Sequence, residues 1–308
     1  MSDPAVRLYV GGHASRVQGE PQTLTGDRMF TAAHRPQVVQ FRPGQVATID
    51  GLLDSGAFSD APEKRLTPET ALARQLRWEG LASEKWGQPW QATGLVSYDL
   101  LIDEVWTAGE RTKRRWSVAD AERAVRVTVD AAAYLASQRE VLAPRTLILS
   151  CQGVDSVQYS DCVDEVLKVA TPTDWIGLGG WCILGRWVSW LPTFWATLTA
   201  ALPRIARAGV THVHIFGVLY LRAMGGLLWL ADQYGLTVST DSTAPILNCT
   251  WADQKKSGAR MPWWRCNVCW WRWTLANLRE SQWYRPTDDT ASFRQMDMFG
   301  MAPLEVGR

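Results

Sequence analysis

The chain has 308 residues, 46% hydrophobic and 20% charged, with a formal net charge of +1. That length suits one large barrel or two modest domains, and the composition is that of a globular protein. The charge balance excludes a uniformly basic surface, so a nucleic-acid partner would need basic residues gathered on one face. No run of about 18 residues is both apolar and uncharged, which excludes an evident membrane-spanning helix; the nearest approach, residues 175–202, is interrupted by Arg186, several glycines and Pro192. The opening Met-Ser-Asp-Pro has neither the basic start nor the apolar run of a signal peptide. The expected setting is the cytoplasm, where six cysteines serve burial or metal binding rather than disulfides.

In chain order, short apolar runs alternate with amphipathic stretches. Leu8–Val10 leads into Gly11 and Gly12, and Thr48–Leu53 runs into Asp54. A helix is expected over Pro68–Lys85, with Leu72, Leu76 and Leu81 near one stripe. Thr93–Tyr98 ends at Asp99, and a helix over Ser117–Glu140 opens on a cap, Ser117 with Asp120 three residues on. Thr146–Cys151 ends at Gln152 and Gly153, followed by a helix over Asp161–Ala170. Trp175–Leu178 ends at Gly179 and Gly180, His212–Phe216 ends at Gly217, and Leu236–Thr240 ends at Asp241. Helices over Pro192–Ala208 and Leu219–Tyr234 fill the intervals. Nearly continuous apolar runs are the mark of strands buried on both faces. Their alternation with helices predicts an α/β protein, a (β/α)8 TIM barrel spanning residues 1–247, although only seven strands are evident. A doubly wound sheet is the competing architecture, weakened by the lack of a glycine-rich phosphate loop after an early strand.

Residues 248–308 change character and read as a Trp- and Cys-rich appendage with a polar tail, packed on the barrel. Cys249, Cys266 and Cys269 include a C-x-x-C pair whose spacing can hold structural zinc. Cys151, Cys162 and Cys182 read as buried thiols. Five of the 18 tryptophans lie in 175–195 and five in 263–273. Either cluster can serve as packing or as a stacking platform for unpaired bases. Asp54 and Asp241 are carboxylates at the C-terminal ends of strands, where an α/β barrel does its chemistry. A strand-end aspartate can also cap the following helix. His212 and His214 read as a structural pair at a strand end rather than as catalytic bases.

Together the strand ends resemble a known family. Asp54-Ser55-Gly56-Ala57-Phe58, Gly177-Leu178-Gly179-Gly180, His214-Ile215-Phe216-Gly217-Val218 and Asp241-Ser242-Thr243-Ala244-Pro245 are similar, in order, to motifs of the tRNA-guanine transglycosylases (queuine tRNA-ribosyltransferases). These are (β/α)8 barrels with a zinc subdomain that exchange guanine for a 7-deazaguanine base. The resemblance implies Asp241 as nucleophile and Asp54 as general acid/base. Asp99 would recognise the base, with Ser55 beside the acid/base residue in the same motif. Gln152 and the Gly179-Gly180 backbone would bind the base carbonyl, and Trp181 would lie against the base plane. The family's zinc site has three cysteines and a histidine, whereas no histidine follows the C-x-x-C pair here.

Ala57 and Ser59 stand where the bacterial tRNA enzymes have Gly and Gln, and at 308 residues no appended RNA-binding domain is expected. In both respects the chain is more similar to the DNA-guanine transglycosylases of the DpdA type, from bacterial modification clusters and phages. The expected partners are DNA, with tRNA as the alternative, and a free base such as 7-cyano-7-deazaguanine. A homodimer would suit the aromatic surface, and the setting would be a bacterial or phage-infected cytoplasm. Such a modification shields phage DNA from restriction. Arg111, Lys113, Arg114 and Arg115 in one loop, and Lys255, Lys256, Arg260 and Arg265 in another, are expected phosphate contacts.

Overall fold

A computed structural model of the protein describes residues 4–11, 27–36, 49–60, 65–100, 102, 104–107, 110–113, 117–181, 190–243, 245 and 267–287. In chain order the strands are β1 (Val6–Gly11), β2 (Arg28–Thr31), β3 (Gly51–Asp54), β4 (Gly94–Val96), β5 (Glu104–Thr107), β6 (Glu110–Lys113), β7 (Thr146–Cys151), β8 (Trp175–Leu178), β9 (His212–Ile215) and β10 (Thr237–Ser242). Eight of them close a barrel in the order β1-β10-β9-β8-β7-β4-β3-β2, every pair parallel. The helices are α1 (Pro68–Trp86), α2 (Val118–Ser137), α3 (Arg139–Leu142), α4 (Ser156–Leu167), α5 (Leu191–Arg207), α6 (Leu221–Gln233) and α7 (Asn267–Ala276). This is the (β/α)8 barrel that the alternation predicts. Strands β5 and β6 form an antiparallel hairpin between β4 and α2, so Arg111 and Lys113 belong to a strand rather than a loop. Arg114, Arg115 and the second basic stretch lie outside the described residues. No described helix is long and apolar enough to cross a membrane.

The missing eighth strand is β2. It is four residues long and opens on Arg28, a charged residue 1% exposed in the folded chain. A buried strand that begins with arginine defeats a search for apolar runs. The other barrel strands are buried on both faces. Leu8, Leu53, Leu95, Leu147, Leu149, Ile176, Val213, Ile215 and Val238 join the core between barrel and helices. Tyr9, Met29, Leu52, Val96 and Ile148 form a separate cluster inside the barrel. Each fully buried aliphatic side chain contributes about 1.5–3 kcal/mol. The interior is full: a Cβ on Gly177 would lie 2.6 Å from the Phe216 ring, and one on Gly94 would lie 2.8 Å from both Ile148 and Leu52. The barrel floor is closed by Arg7, paired with Asp27 at 2.6 Å and with Asp50, and by Trp175 stacked on His212 at 3.6 Å.

Local sequence sets the helix ends. The Thr67 hydroxyl caps α1 by accepting from the Thr70 N–H, Pro68 opens the helix, and Gly87 closes it at φ +65°. The Ser117 cap of α2 forms as expected, accepting from the Asp120 N–H at 3.1 Å. Helix α4 starts five residues before the expected Asp161, because Asp155 accepts from the Val157 and Gln158 N–H groups at 3.0 and 2.9 Å.

Residues 267–287 are built onto the barrel wall. Helix α7 packs against β1, the Ala5 N–H donates to the Ala276 carbonyl at 3.2 Å, and Arg272 donates to the Asp27 carbonyl at 3.1 Å. Asp232 of α6 accepts from Arg279 at 2.8 and 2.6 Å and from the Tyr284 hydroxyl at 2.7 Å. The adjacent glycines 225 and 226 let the chain pass: a Cβ on Gly225 would lie 2.0 Å from the Trp283 carbonyl oxygen. The segment thus occupies the place of a barrel's closing helix, beyond the last strand and beside the first.

Candidate active site

The C-terminal ends of the strands form one mouth, lined by three groups of residues. The first is the β3 end. The Asp54 carboxylate accepts from the Gly56 N–H at 3.0 Å and from the Thr31 hydroxyl of the neighbouring strand. Gly56 sits at φ +86°, where a Cβ would meet the Ala33 nitrogen at 2.7 Å. Only glycine makes this turn without strain. The turn is clamped from α1: Arg74 grips Asp60 in a fork at 2.8 and 3.0 Å and also donates to the Ser55 carbonyl. The Tyr98 hydroxyl adds a bond to Asp60 at 2.9 Å, and Arg65 donates to the Ala57 carbonyl at 2.7 Å. Buried Gln75 ties the ends of β3 and β4 together through the Leu53 and Val96 carbonyls, at 2.8 and 3.0 Å. The Ser55 hydroxyl is fully buried and has no hydrogen-bond partner among the described residues.

Burial pushes the Asp54 carboxyl up from 3.8 to about 6, and the nearby charge of Asp241 pushes the same way. The Gly56 and Thr31 hydrogen bonds and the Arg74 charge act in the opposite direction. Desolvation wins because a charged carboxylate loses more on leaving water than two hydrogen bonds return.

The second group spans β4, β7 and β8. The Gln152 amide donates to the Asp99 carboxylate, and its oxygen accepts from the Ile102 N–H at 3.0 Å. Both side chains are buried. The Gly179 N–H is committed to the Cys151 carbonyl at 3.0 Å. The Tyr159 hydroxyl bridges the Cys151 and Gly179 carbonyls at 3.0 and 3.1 Å. Gly180 turns at φ +90°, and its N–H has no partner among the described residues. Gln152 therefore orients Asp99 directly, and its second amide hydrogen has no partner among the described residues. Trp181 is 4% exposed and packs on Phe194, Tyr159 and Trp190 at 5.0, 5.9 and 6.2 Å. Its ring lies in the wall behind the mouth.

The third group belongs to β9 and β10. Asp241 Oδ1 accepts from the Gly217 N–H at 3.0 Å and faces His214 Nε2 at 3.3 Å. Oδ2 has no hydrogen-bond partner among the described residues. Below it the Ser239 hydroxyl lies between His214 Nδ1 at 2.8 Å and His212 Nε2 at 2.7 Å.

Asp54 and Asp241 lie close enough for the charge of one to act on the other, Gln152 meets Asp99, and Gly179 follows β8, all at the C-terminal ends of barrel strands. The sequence reading passed over the contact of His214 with Asp241. Strand parity carried the signal: residues 212 and 214, and 239 and 241, alternate inward on adjacent strands, and Ser239 is in register with His214. Thr31 and Arg74 were missed because β2 was missed and because helical arginines are usually solvated.

Cys249 and Cys266 lie outside the described residues. Cys269 is a partly buried free thiol on α7. Among the described residues no group of three or more His, Cys, Asp or Glu could hold a metal. The described donor set is a single thiol, which does not by itself fit a zinc ion.

No protein-family profile and no curated protein matches the chain. Among solved structures, a provisionally described lyase/mutase from Burkholderia cenocepacia J2315 is similar at 13% identity and TM-score 0.41, covering 85% of this chain and 89% of that one. A provisionally described fructose-1,6-bisphosphate aldolase from Coccidioides immitis is similar at 9% identity and TM-score 0.41, covering 89% of this chain and 88% of that one. An L-ribulose 3-epimerase is similar at 12% identity and TM-score 0.39, covering 94% and 98%. The likenesses are weak, and the barrel assignment rests on the strand pairing itself.

Proposed function

We propose that the protein is an enzyme, a transglycosylase that exchanges guanine in DNA for a 7-deazaguanine base such as 7-cyano-7-deazaguanine. One observation carries the reading. Two carboxylates share a barrel mouth in unlike settings: Asp54 is desolvated and pushed up to about 6, while Asp241 has one oxygen held by the Gly217 N–H and the other without a partner among the described residues. Base exchange with retention needs two displacements at C1′ through an oxocarbenium-like transition state, which is the logic of a retaining glycosidase. Asp241 Oδ2 attacks C1′ as the bond to guanine N9 breaks, and protonated Asp54 supplies the proton that lets guanine leave. After the bases exchange, the Asp54 carboxylate takes the N9 proton of the incoming base. N9 then attacks C1′ and releases Asp241. A group titrating near 6 can serve in both directions near neutral pH.

Asp99 accepts from N1–H and the 2-amino group of guanine, donors that adenine lacks. The second amide hydrogen of Gln152 and the Gly180 N–H donate to the ring carbonyl. A site built this way rejects a mismatched base by leaving buried groups unpaired. The target nucleotide must leave its stack to reach the mouth. Zinc held by Cys249, Cys266 and Cys269 would be structural, and no step passes through it.

The test is mass spectrometry of nucleosides from DNA and, in parallel, tRNA, each incubated with the protein and candidate free bases. The expected result is 7-deazaguanine nucleoside in DNA and loss of labelled guanine. Incorporation into tRNA alone would move the assignment to the RNA polymer. Guanine retained in both polymers would refute the reading.

A further inference from the structure

The interior of the barrel below Asp241 holds an unbroken line of polar groups. From the mouth downward these are Asp241 Oδ1, His214 Nε2 at 3.3 Å, His214 Nδ1 to Ser239 Oγ at 2.8 Å, Ser239 Oγ to His212 Nε2 at 2.7 Å, and His212 Nδ1 to Thr237 Oγ1 at 2.7 Å. The Thr237 hydroxyl also reaches the Thr211 carbonyl at 3.0 Å and is exposed at the barrel floor. His214 and Ser239 are fully buried. The line is fenced by Tyr9, whose ring is 6.0 Å from that of His214, by Phe216 at 4.8 Å, and by Trp175 stacked on His212. Arg7 is the cation whose charge reaches His212.

Counting hydrogens fixes how the line works. The buried Ser239 hydroxyl has one proton and only the two rings as partners among the described residues. It donates to one ring nitrogen and accepts from the other. The two histidines therefore cannot choose tautomers independently. When Asp241 is ionised and His214 neutral, His214 must carry its proton on Nε2. Ser239 then donates to His214 Nδ1 and accepts from His212 Nε2–H, and the Thr237 hydroxyl donates to His212 Nδ1. When Asp241 carries a proton, every one of these bonds reverses and Thr237 donates to the Thr211 carbonyl.

We propose that His214, Ser239, His212 and Thr237 form a proton relay that links the Asp241 carboxyl to solvent at the opposite end of the barrel. The step balances. The Asp241 proton passes to His214 Nε2, the Nδ1 proton of His214 to Ser239, and the Ser239 proton to His212 Nε2. The Nδ1 proton of His212 passes to Thr237, and the original Thr237 proton passes to water. One proton leaves the mouth, and each relay member ends neutral with its bonds reversed. On the reading that Asp241 is a nucleophile, to which this inference adds but on which its test does not depend, the relay ionises Asp241 without using the mouth. The proton that Asp54 gives to the leaving base is thereby kept separate. His212, His214 and Ser239 are positioning residues; none touches the reacting atoms.

The test is nitrogen-15 NMR of the imidazole rings in the whole protein, titrated from pH 4 to pH 8. The expected result is that one and only one of the two ring nitrogens facing Ser239 is protonated at every pH, and that His212 reverses whenever His214 does. Ser239→Ala uncouples the rings and leaves the His212 tautomer indifferent to Asp241→Ala. Both facing nitrogens protonated together, neither protonated, or a coupling that survives Ser239→Ala would overturn the relay. This readout needs no substrate. A relay seen without transfer to DNA would sink the transglycosylase reading alone, whereas transfer with independent rings would sink the relay alone.

Discussion

Replacing Asp54 by asparagine keeps the acceptor for the Gly56 N–H and removes a charge the fold resists. The folded-state value lies near 6 against an ordinary 3.8, and at about 1.4 kcal/mol for each tenfold change in proton affinity the full difference is about 3 kcal/mol. The direction follows from linkage. A carboxyl whose value is raised on folding penalises the folded state when ionised. The penalty is absent below the unfolded value near 4, grows from about 4 to about 6, and is complete above that. The wild type thus carries a cost of about 1 kcal/mol at pH 4.5 and about 3 kcal/mol at pH 8. The second figure is an upper bound, because the side chain keeps some contact with water. Urea unfolding of Asp54→Asn and wild type, followed by tryptophan fluorescence at both values of pH, checks it. The variant is expected to be the more stable protein, by a wider margin at pH 8, while base transfer is lost. An equal margin at the two values of pH, or a variant destabilised at pH 8, would refute the burial argument. Stability gained at the expense of activity is the usual mark of a site strained for function.

Asp241→Ala strips the Gly217 N–H and buried His214 of an acceptor, so it is expected to cost about 1–3 kcal/mol in urea unfolding and to lower transfer by about 10⁴-fold or more, with no protein–DNA adduct on a denaturing gel. Gln152→Ala strips Asp99 of a donor and the Ile102 N–H of its acceptor. It should cost about 1–3 kcal/mol in urea unfolding and raise the KM for guanine more than it lowers kcat. Gly56→Ala forces a Cβ onto a φ of +86° and against the Ala33 nitrogen; a loss of about 1–2 kcal/mol, read by calorimetry, is expected together with weakened transfer as Asp54 is displaced. Burial, with the charges of His214 and Arg7, holds His212 down at about 3. Stability is therefore lost as pH falls below about 6.5, by up to about 1.4 kcal/mol per pH unit, and His212→Gln should flatten that slope in acid unfolding.

Much of the barrel is legible in the sequence because most of its strands are buried on both faces, and double burial demands unbroken apolar runs. Leu147 to Leu149 and Val213 to Ile215 are visible for that reason. Strand β2 is hidden because burial is met differently there: Arg28 is buried with its guanidinium 5.9 Å from the Phe30 ring, and Met29 alone faces the interior cluster. The final helix is hidden because its chain is rich in Trp and Arg. Such a composition suggests a separate surface module, yet Arg272 and Arg279 spend their charge on the barrel itself. The site residues at strand ends are visible as polar groups closing apolar runs. Their partners come from neighbouring strands and helices, and no spacing along one strand reveals them. Trp181 shows the limit of reading a residue from its neighbours in sequence: it follows Gly180, but the positive φ of that glycine turns the chain and the ring packs behind the mouth.

The unlike settings of the two carboxylates depend on where nearby cations spend their charge. Arg74 lies close enough to Asp54 to lower its value, yet it is the weakest of the influences acting there. Its fork is committed to Asp60, which the Tyr98 hydroxyl also engages. A guanidinium matched by a carboxylate presents little net field to a third group. Asp60 therefore allows Arg74 to clamp the 54–60 turn without neutralising the environment that keeps Asp54 protonatable near neutral pH. Asp241, by contrast, receives a backbone N–H and an imidazole on one oxygen. Burial at Asp54, and the backbone N–H and imidazole on one oxygen of Asp241, thus give the two carboxylates their unlike settings, while the Arg74–Asp60 ion pair holds the turn from the helix side.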